Sequence, residues 1–284
     1  MVDKDITEKN LEALNDVFAD IVNVLLFDGR PVIHEDELEP ASEHSIFKAD
    51  GKIHEQERDV SKFWKNGEIR ISLLGLENQT KKDNNMPLRV ISYDGAAYKQ
   101  QLLDRAIKKK YPVITLVLYF GMRCWNKPKS LFDCFDVPEE LKPFINDYKI
   151  NVFEIAWLDE ETISKFKSDF KIVAEFFHAK RINEEIKGSK EIIKHVDETL
   201  KLMSSLTGDD SFERVYNELN EKKKGGTNMD ELLQRYVNKG KTQKAEDATI
   251  KLLKEGITPE VIAKCVDLPI ERVLELQESI LVKA

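Results

Sequence analysis

The stretch Ile69-Arg70-Ile71-Ser72-Leu73-Leu74-Gly75-Leu76-Glu77-Asn78-Gln79 reads as a core strand that ends in an acid and two amides. Residues 69–76 form a mostly apolar run bounded by polar segments, the pattern of a strand buried in a sheet. Side chains alternate faces along a strand, so Glu77 and Gln79 point one way and Asn78 the other. Just upstream, Lys65-Asn66-Gly67-Glu68 contains Asn-Gly, the pair that best favours a tight hairpin. It predicts a hairpin between a strand over about 57–64 and one over about 68–78, which sets Asp59 and Glu77 on adjacent strands. Two carboxylates converging from neighbouring strands offer hard oxygen ligands suited to Mg²⁺. Taken alone, a glutamate at a strand end is simply a solvated terminus; the order of the surrounding elements gives the pair its meaning.

Before the hairpin, Leu11, Leu14, Phe18, Ile21, Val22 and Leu25 recur at helical spacing and predict a helix over 10–27. Asp28-Gly29-Arg30-Pro31 stops it. Residues 31–56 are polar and weakly periodic, and read as a loop with a short helix near 35–38. After the hairpin and a polar loop over 80–86, a long helix is expected from about Pro87 to Lys110. Its terminal Lys108-Lys109-Lys110 can complement the helix dipole or meet phosphate. The continuous apolar run 113–120 then predicts a strand buried on both faces. A further strand is expected over 150–158. Helix, acid-bearing hairpin, helix and buried strand call for an α/β core with a mixed sheet and helices packed on it.

From about 160 the chain reads as helix, with a linker at Glu221-Lys222-Lys223-Lys224-Gly225-Gly226-Thr227-Asn228. Thr258-Pro259-Glu260 and Leu268-Pro269-Ile270-Glu271 each start a short helix, a pair reminiscent of a helix-turn-helix. The second offers only Arg272 and Gln277 to read base edges, where a DNA-reading helix supplies three or four such side chains. An oligomerising or substrate-positioning tail is the preferred reading, with a homodimer through these C-terminal helices. The expected divisions are residues 1–180, 181–224 and 225–284.

Composition sets the outer limits. The chain has 284 residues, 41% hydrophobic and 34% charged, with a net charge of −8. That excess of acid argues against coating nucleic acid through the overall field, but not against a local basic groove. No apolar run approaches the roughly 20 residues that span a bilayer, and the N-terminus lacks a secretory pattern. Three cysteines without a C-x-x-C pair support neither a disulfide framework nor a zinc knuckle. A cytoplasmic protein with no membrane partner is expected. His34, His44 and His54 match no zinc-ligand spacing. No glycine-rich phosphate loop is present. Trp64, Trp125 and Trp157 read as core or groove-edge residues, and Arg123 and Trp125 as part of a strand-end loop packed on the core.

Asp16-Val-Phe-Ala-Asp-Ile-Val-Asn23, Arg58-Asp59, Gly75-Leu76-Glu77-Asn78-Gln79 and Met86-Pro87-Leu88-Arg89-Val90 followed by Tyr93-Asp94 occur in one order. In that order the chain resembles the recombination-promoting nuclease/putative transposase family, a branch of the PD-(D/E)XK nuclease superfamily, over roughly residues 10–180. The tail resembles the family's C-terminal extension through 252–258 and Ile262-Ala263. The resemblance implies a restriction-endonuclease-like core with a mixed central sheet flanked by helices, and an α-helical C-terminal extension. It also implies a metal-dependent DNA endonuclease acting in recombination or transposition, with DNA as partner and Mg²⁺, or Mn²⁺, as cofactor. Asp59 and Glu77 would be direct metal ligands and the carbonyl of Asn78 a third. Asp20 would reach the metal through water, although Asp16 and Glu12 lie on roughly the same side of the helix. Arg89 and Tyr93 would face the scissile phosphate.

Gln79 stands where the superfamily places lysine. It can orient a water by hydrogen bonding, but it carries no charge and no useful pKa. The metal must then contribute more, or a second cation must help, with Arg89 and Lys81 as the candidates. The alternative is a catalytically weak or inactive DNA- or partner-binding protein that retains the nuclease fold.

Overall fold

The computed structural model describes residues 11–41, 44–49, 52–57, 60–64, 68–76, 84–184, 192–208, 212, 245–266 and 268–281. Two compact units are present: Met1–Ile186 with Lys194–Asp209, and Lys187–Ile193 with Asp210–Ala284.

The first unit is α/β. Helix α1 (Asn15–Phe27) buries Val17, Phe18, Ile21, Val22 and Val24, the apolar face expected from the sequence. The helix expected over 10–27 is broken: residues 11–12 are helical, Leu14 is extended (φ −69°, ψ 133°), and α1 begins at Asn15. The Asn15 side chain donates instead to the carbonyls of Glu35 (2.9 Å) and Leu38 (3.1 Å). The helix ends with Asp28 and Gly29 at φ 56° and 78°, the left-handed conformation that glycine adopts without steric cost.

A five-stranded mixed sheet follows, made of β1 (Glu39–Pro40), β4 (Val60–Trp64), β5 (Ile69–Leu76), β6 (Val113–Tyr119) and β7 (Asn151–Glu154), in the order β1-β4-β5-β6-β7. β4 and β5 form the expected antiparallel hairpin, with Trp64 opposite Ile69 and Val60 opposite Leu73. β5, β6 and β7 are parallel. The segment 31–56, read from sequence as a loop with a short helix near 35–38, has that helix as a 3₁₀ turn (Glu35–Glu37) but also holds β1 and a separate hairpin of β2 (His44–Ala49) and β3 (Lys52–Glu57). Their apolar residues, Ile46, Phe47, Ala49 and Ile53, are scattered among charged and polar ones, so no apolar run announces the strands. The available signal was Asp50-Gly51, a turn-favouring pair between the paired Ala49 and Lys52.

Helix α2 (Met86–Leu103) crosses from β5 to β6 over one face of the sheet. Gln101 bonds both backbone groups of Tyr111 (2.9 and 3.1 Å), and the Thr115 hydroxyl donates to Asp94 at 2.7 Å. The helix ends seven residues before the expected Lys110. Asp104 accepts from the amide of Ala106 at 2.8 Å, a local bond that competes with continued helix. Of the lysine triplet, Lys110 Nζ donates to the carbonyls of Gln101 and Ile107, and Lys109 pairs with Glu68 at 2.6 Å.

The other helices of this unit are α3 (Leu131–Cys134), α4 (Glu160–Ser164), α5 (Phe170–Ile182) and α6 (Val196–Thr207). Phe120, at the end of β6, meets Phe170 and Phe177 of α5 with ring centroids 6.3 and 5.3 Å apart. His195, just before α6, bonds Asp16 at 3.0 Å, while Asp169 accepts from the amides of Lys194 and His195.

In the second unit a helical stretch over 245–254 ends near Gly256 (φ 80°) and precedes α7 (Pro259–Val266) and α8 (Ile270–Leu281). Both prolines mark helix starts as expected. Ile262 and Val273 are fully buried. Arg272 is held by Glu246 (2.8 Å) and Glu275 (2.6 Å), which raise its pKa further. The linker expected at 221–228 lies outside the described residues.

Candidate active site

Three parallel strands give the sheet one carboxyl edge, where Leu76, Tyr119 and Glu154 stand in register on β5, β6 and β7. In open α/β sheets this edge is where ligands bind, because the helix following each strand begins there with unpaired backbone N–H groups. Glu77, Asn78 and Gln79 follow directly in the chain. These three residues, with Asp59 and Lys81, lie outside the described residues.

The start of α2 supplies two of the sequence-predicted residues. Pro87 occupies the first turn, where its missing N–H costs nothing. Met86, Val90 and Tyr93 pack with Val117 and Ile150 against the sheet, and Trp125, Tyr148 and Val152 lean on them. This packing leaves Arg89 exposed on the same turn as Val90. Its Nη2 lies 3.4 Å from the Tyr93 hydroxyl, so the two residues do come together. Further along, Asp94 is buried; its carboxylate accepts from Thr115 and from the Tyr148 hydroxyl.

Residues 121–126 complete the edge. Glu154 Oε2 accepts from the Trp125 amide at 2.6 Å, and Lys129 lies 3.7 Å from its other oxygen. Trp125 meets Tyr119 edge to face, 5.1 Å between centroids. Gly121 makes the turn possible, because a Cβ there would lie 1.9 Å from the Tyr119 hydroxyl. Burial, with the nearby Glu154 charge, pushes the Tyr119 phenol above its ordinary pKa. Beyond β7, the Arg181 guanidinium sits 4.4 Å over the half-exposed Trp157 ring and donates to the Ala156 carbonyl. Glu154 was missed from sequence, although it ends a strand-like segment much as Glu77 does.

Asp20 stands elsewhere in the network. Its Oδ2 accepts from the amides of Lys167 (2.8 Å) and Ser168 (2.7 Å), fixing the turn that leads into α5. Glu12 is buried with 2% exposure. Asp16 is engaged by Lys194 and His195; burial raises its pKa, but those hydrogen bonds and charges outweigh it and leave the carboxyl below its usual range. Among the described residues no cluster of three or more His, Cys, Asp or Glu side chains could hold a metal ion. Nor, among them, is any helix long and apolar enough to cross a membrane.

Comparison with known families finds a match over residues 65–210 to the family described as "Putative transposase, YhgA-like". That span runs from the β4–β5 turn through α6 and takes in the carboxyl edge, α2 and the 121–126 loop. No curated protein and no solved structure matches the chain.

Proposed function

The chain belongs to the YhgA-like putative transposase family, and we propose that it is a metal-dependent endonuclease that hydrolyses DNA phosphodiester bonds during recombination or transposition. The observation that supports this reading most is positional. β5 runs parallel to β6 and ends at Leu76, in register with Tyr119 at the carboxyl edge; Glu77-Asn78-Gln79 come next in the sequence, and Arg89 and Tyr93 stand in the first two turns of α2.

In this reading Asp59 and Glu77 supply carboxylate oxygens and Asn78 its carbonyl, a hard donor set that fits Mg²⁺ or Mn²⁺. The ion, when bound, supplies positive charge against the anionic phosphodiester and makes water a stronger nucleophile. Gln79 orients that water by hydrogen bonding. Arg89 donates to a phosphate oxygen, with Tyr93 fixing the direction of its guanidinium and Lys81 adding positive charge. Asp20 still has Oδ1 to offer a bridging water, whereas Glu12 lies before the extended Leu14, outside α1. The domain reading retained is a nuclease-like region over 1–180 followed by helical extensions over 181–224 and 225–284.

Gln79 favours one second reading, a DNA- or partner-binding protein that has lost strong catalysis. A plasmid-nicking assay on the parent and Gln79→Lys, with Mg²⁺ and Mn²⁺ titrated, separates the two. The nuclease reading predicts metal-dependent nicking by the parent and faster nicking by Gln79→Lys. Metal-independent DNA binding with no nicking by either protein supports the second reading.

A further inference from the structure

We propose, on the nuclease reading above, that Arg123 and Asn126 in the loop over 121–129 read base edges of duplex DNA, so that the choice of cleavage site depends on sequence. The loop leaves β6 at the carboxyl edge, where Leu76 of β5 stands in register with Tyr119 and neighbouring strands lie about 4.8 Å apart. Its residues divide in two. Gly121 is buried and Trp125 packs on the cluster of Met86, Val90 and Tyr93, whereas Arg123, Asn126 and Lys129 are exposed.

The loop is pinned in its middle and at its end. Glu154 Oε2 accepts from the Trp125 amide at 2.6 Å, and the Ile150 amide donates to the Lys129 carbonyl at 2.9 Å. The Asp133 carboxylate accepts from the amides of Lys129 (3.0 Å) and Ser130 (2.9 Å). A backbone held in this way presents Arg123 and Asn126 in a fixed place, so less entropy is lost when they meet a ligand. The shape is kept at a cost, because Trp125 Nε1 is buried with no hydrogen-bond partner. An unsatisfied buried donor is uncommon in a native fold and calls for a reason. A loop whose outer surface is used for binding supplies one, since folds break local rules chiefly at functional sites.

The chemistry of the exposed side chains selects the ligand. No acid occurs from Gly121 to Phe132, and Arg123 has no ion-pair partner among the described residues. The acids that border the loop are turned onto backbone: Glu154 onto Trp125, Asp133 onto Lys129 and Ser130, and Asp147 onto the Phe132 amide at 3.1 Å. Lys129 also stands 3.7 Å from Glu154. The exposed Asp136, Glu139 and Glu140 come after α3, and Glu139 pairs with Lys142, so a duplex is better placed over 121–129 than beyond α3. With a net charge of −8, the chain has no broad basic field to grip DNA, which favours contacts made through hydrogen-bond geometry. The guanidinium fork of arginine matches O6 and N7 of guanine, and the amide of asparagine matches N6 and N7 of adenine. One of each, three residues apart on a pinned loop, is a base-reading pair.

The test is to sequence what the full chain retains from a pool of duplexes with random bases, with Ca²⁺ in place of Mg²⁺. The parent is expected to enrich particular bases at the positions that Arg123 and Asn126 meet. Arg123→Ala and Asn126→Ala should each flatten the preference at one position by roughly 10-fold, within the discrimination of one bidentate pair. Arg123→Lys keeps the charge and loses the fork, so it should hold affinity while losing the preference. Both positions are exposed, and circular dichroism checks that each variant is folded. A bound pool without enrichment overturns the proposal. So does enrichment that survives the alanine substitutions, or that Arg123→Lys fully keeps, which would assign Arg123 to phosphate. Enrichment by a parent that nicks no plasmid supports base reading and overturns the nuclease reading instead. Nicking without enrichment does the reverse, and a parent that retains no DNA overturns both.

Discussion

The buried carboxylate of Asp94 on α2 accepts a hydrogen bond from the hydroxyl of Thr115 on β6 at 2.7 Å. With Tyr148 on the second oxygen, it clamps the middle of the helix to the sheet and sets where the first two turns, with Arg89 and Tyr93, project. Asp94→Ala removes the acceptor of the buried Thr115 hydroxyl and of the half-buried Tyr148 hydroxyl, and a buried polar group left without its partner costs more than an absent bond gains. The expected loss is about 2–4 kcal/mol, read from the urea midpoint. Thr115→Val should cost less, because Tyr148 remains in place.

Asp16 gives stability a defined acid limb. Its carboxyl titrates below its ordinary value in the fold because Lys194 and His195 hold the charged form. A depressed folded pKa means stability that is fully present above the unfolded value, ~3.9, and lost as pH falls through the folded one. The parent should therefore exceed Asp16→Asn in stability at pH 6, with the gap closing below about pH 4. Urea midpoints of both proteins at pH 6 and pH 3 measure it; a constant gap would contradict this role.

Gly121→Ala tests the carboxyl-edge loop. The added Cβ collides with the Tyr119 ring, which Trp125 holds edge to face, so the ring must move and take the indole with it. Overpacking of this kind costs about 1–3 kcal/mol. A shift of tryptophan emission together with a lower melting temperature is expected.

Arg89 is exposed, so its replacement should leave the fold intact. If it meets phosphate in the transition state, Arg89→Ala lowers the cleavage rate by roughly 10²-fold, and Arg89→Lys recovers part of that. An unchanged melting temperature separates this loss from misfolding.

The parts of the fold legible in sequence were those with continuous apolar runs or strong punctuation. Residues 69–76 and 113–119 announced their strands, Asn66-Gly67 the hairpin, Asp28-Gly29 a helix stop, and Pro259 and Pro269 two helix starts. The β2–β3 hairpin escaped because Ile46, Phe47, Ala49 and Ile53 form neither an apolar run nor a regular alternation. The premature end of α2 escaped because a single side-chain bond, Asp104 to Ala106, decided it. At the carboxyl edge, the helix start that carries Arg89 and Tyr93 was legible from Pro87 and the polar loop before it, while their facing a phosphate is what the resemblance implies. Glu154 was not, since its role depends on the parallel pairing of Tyr119 with Glu154, which joins positions far apart in the chain.

The central claim is that Asp59 and Glu77 hold a divalent ion for phosphodiester cleavage. Its most direct measurement is the rate at which supercoiled plasmid is nicked across a Mg²⁺ titration, comparing the parent with Glu77→Ala at matched folded concentration. The account predicts saturable, chelator-sensitive nicking by the parent and, for Glu77→Ala, a rate lower by on the order of 10³-fold or more. Equal nicking by the two proteins at every Mg²⁺ concentration would contradict it.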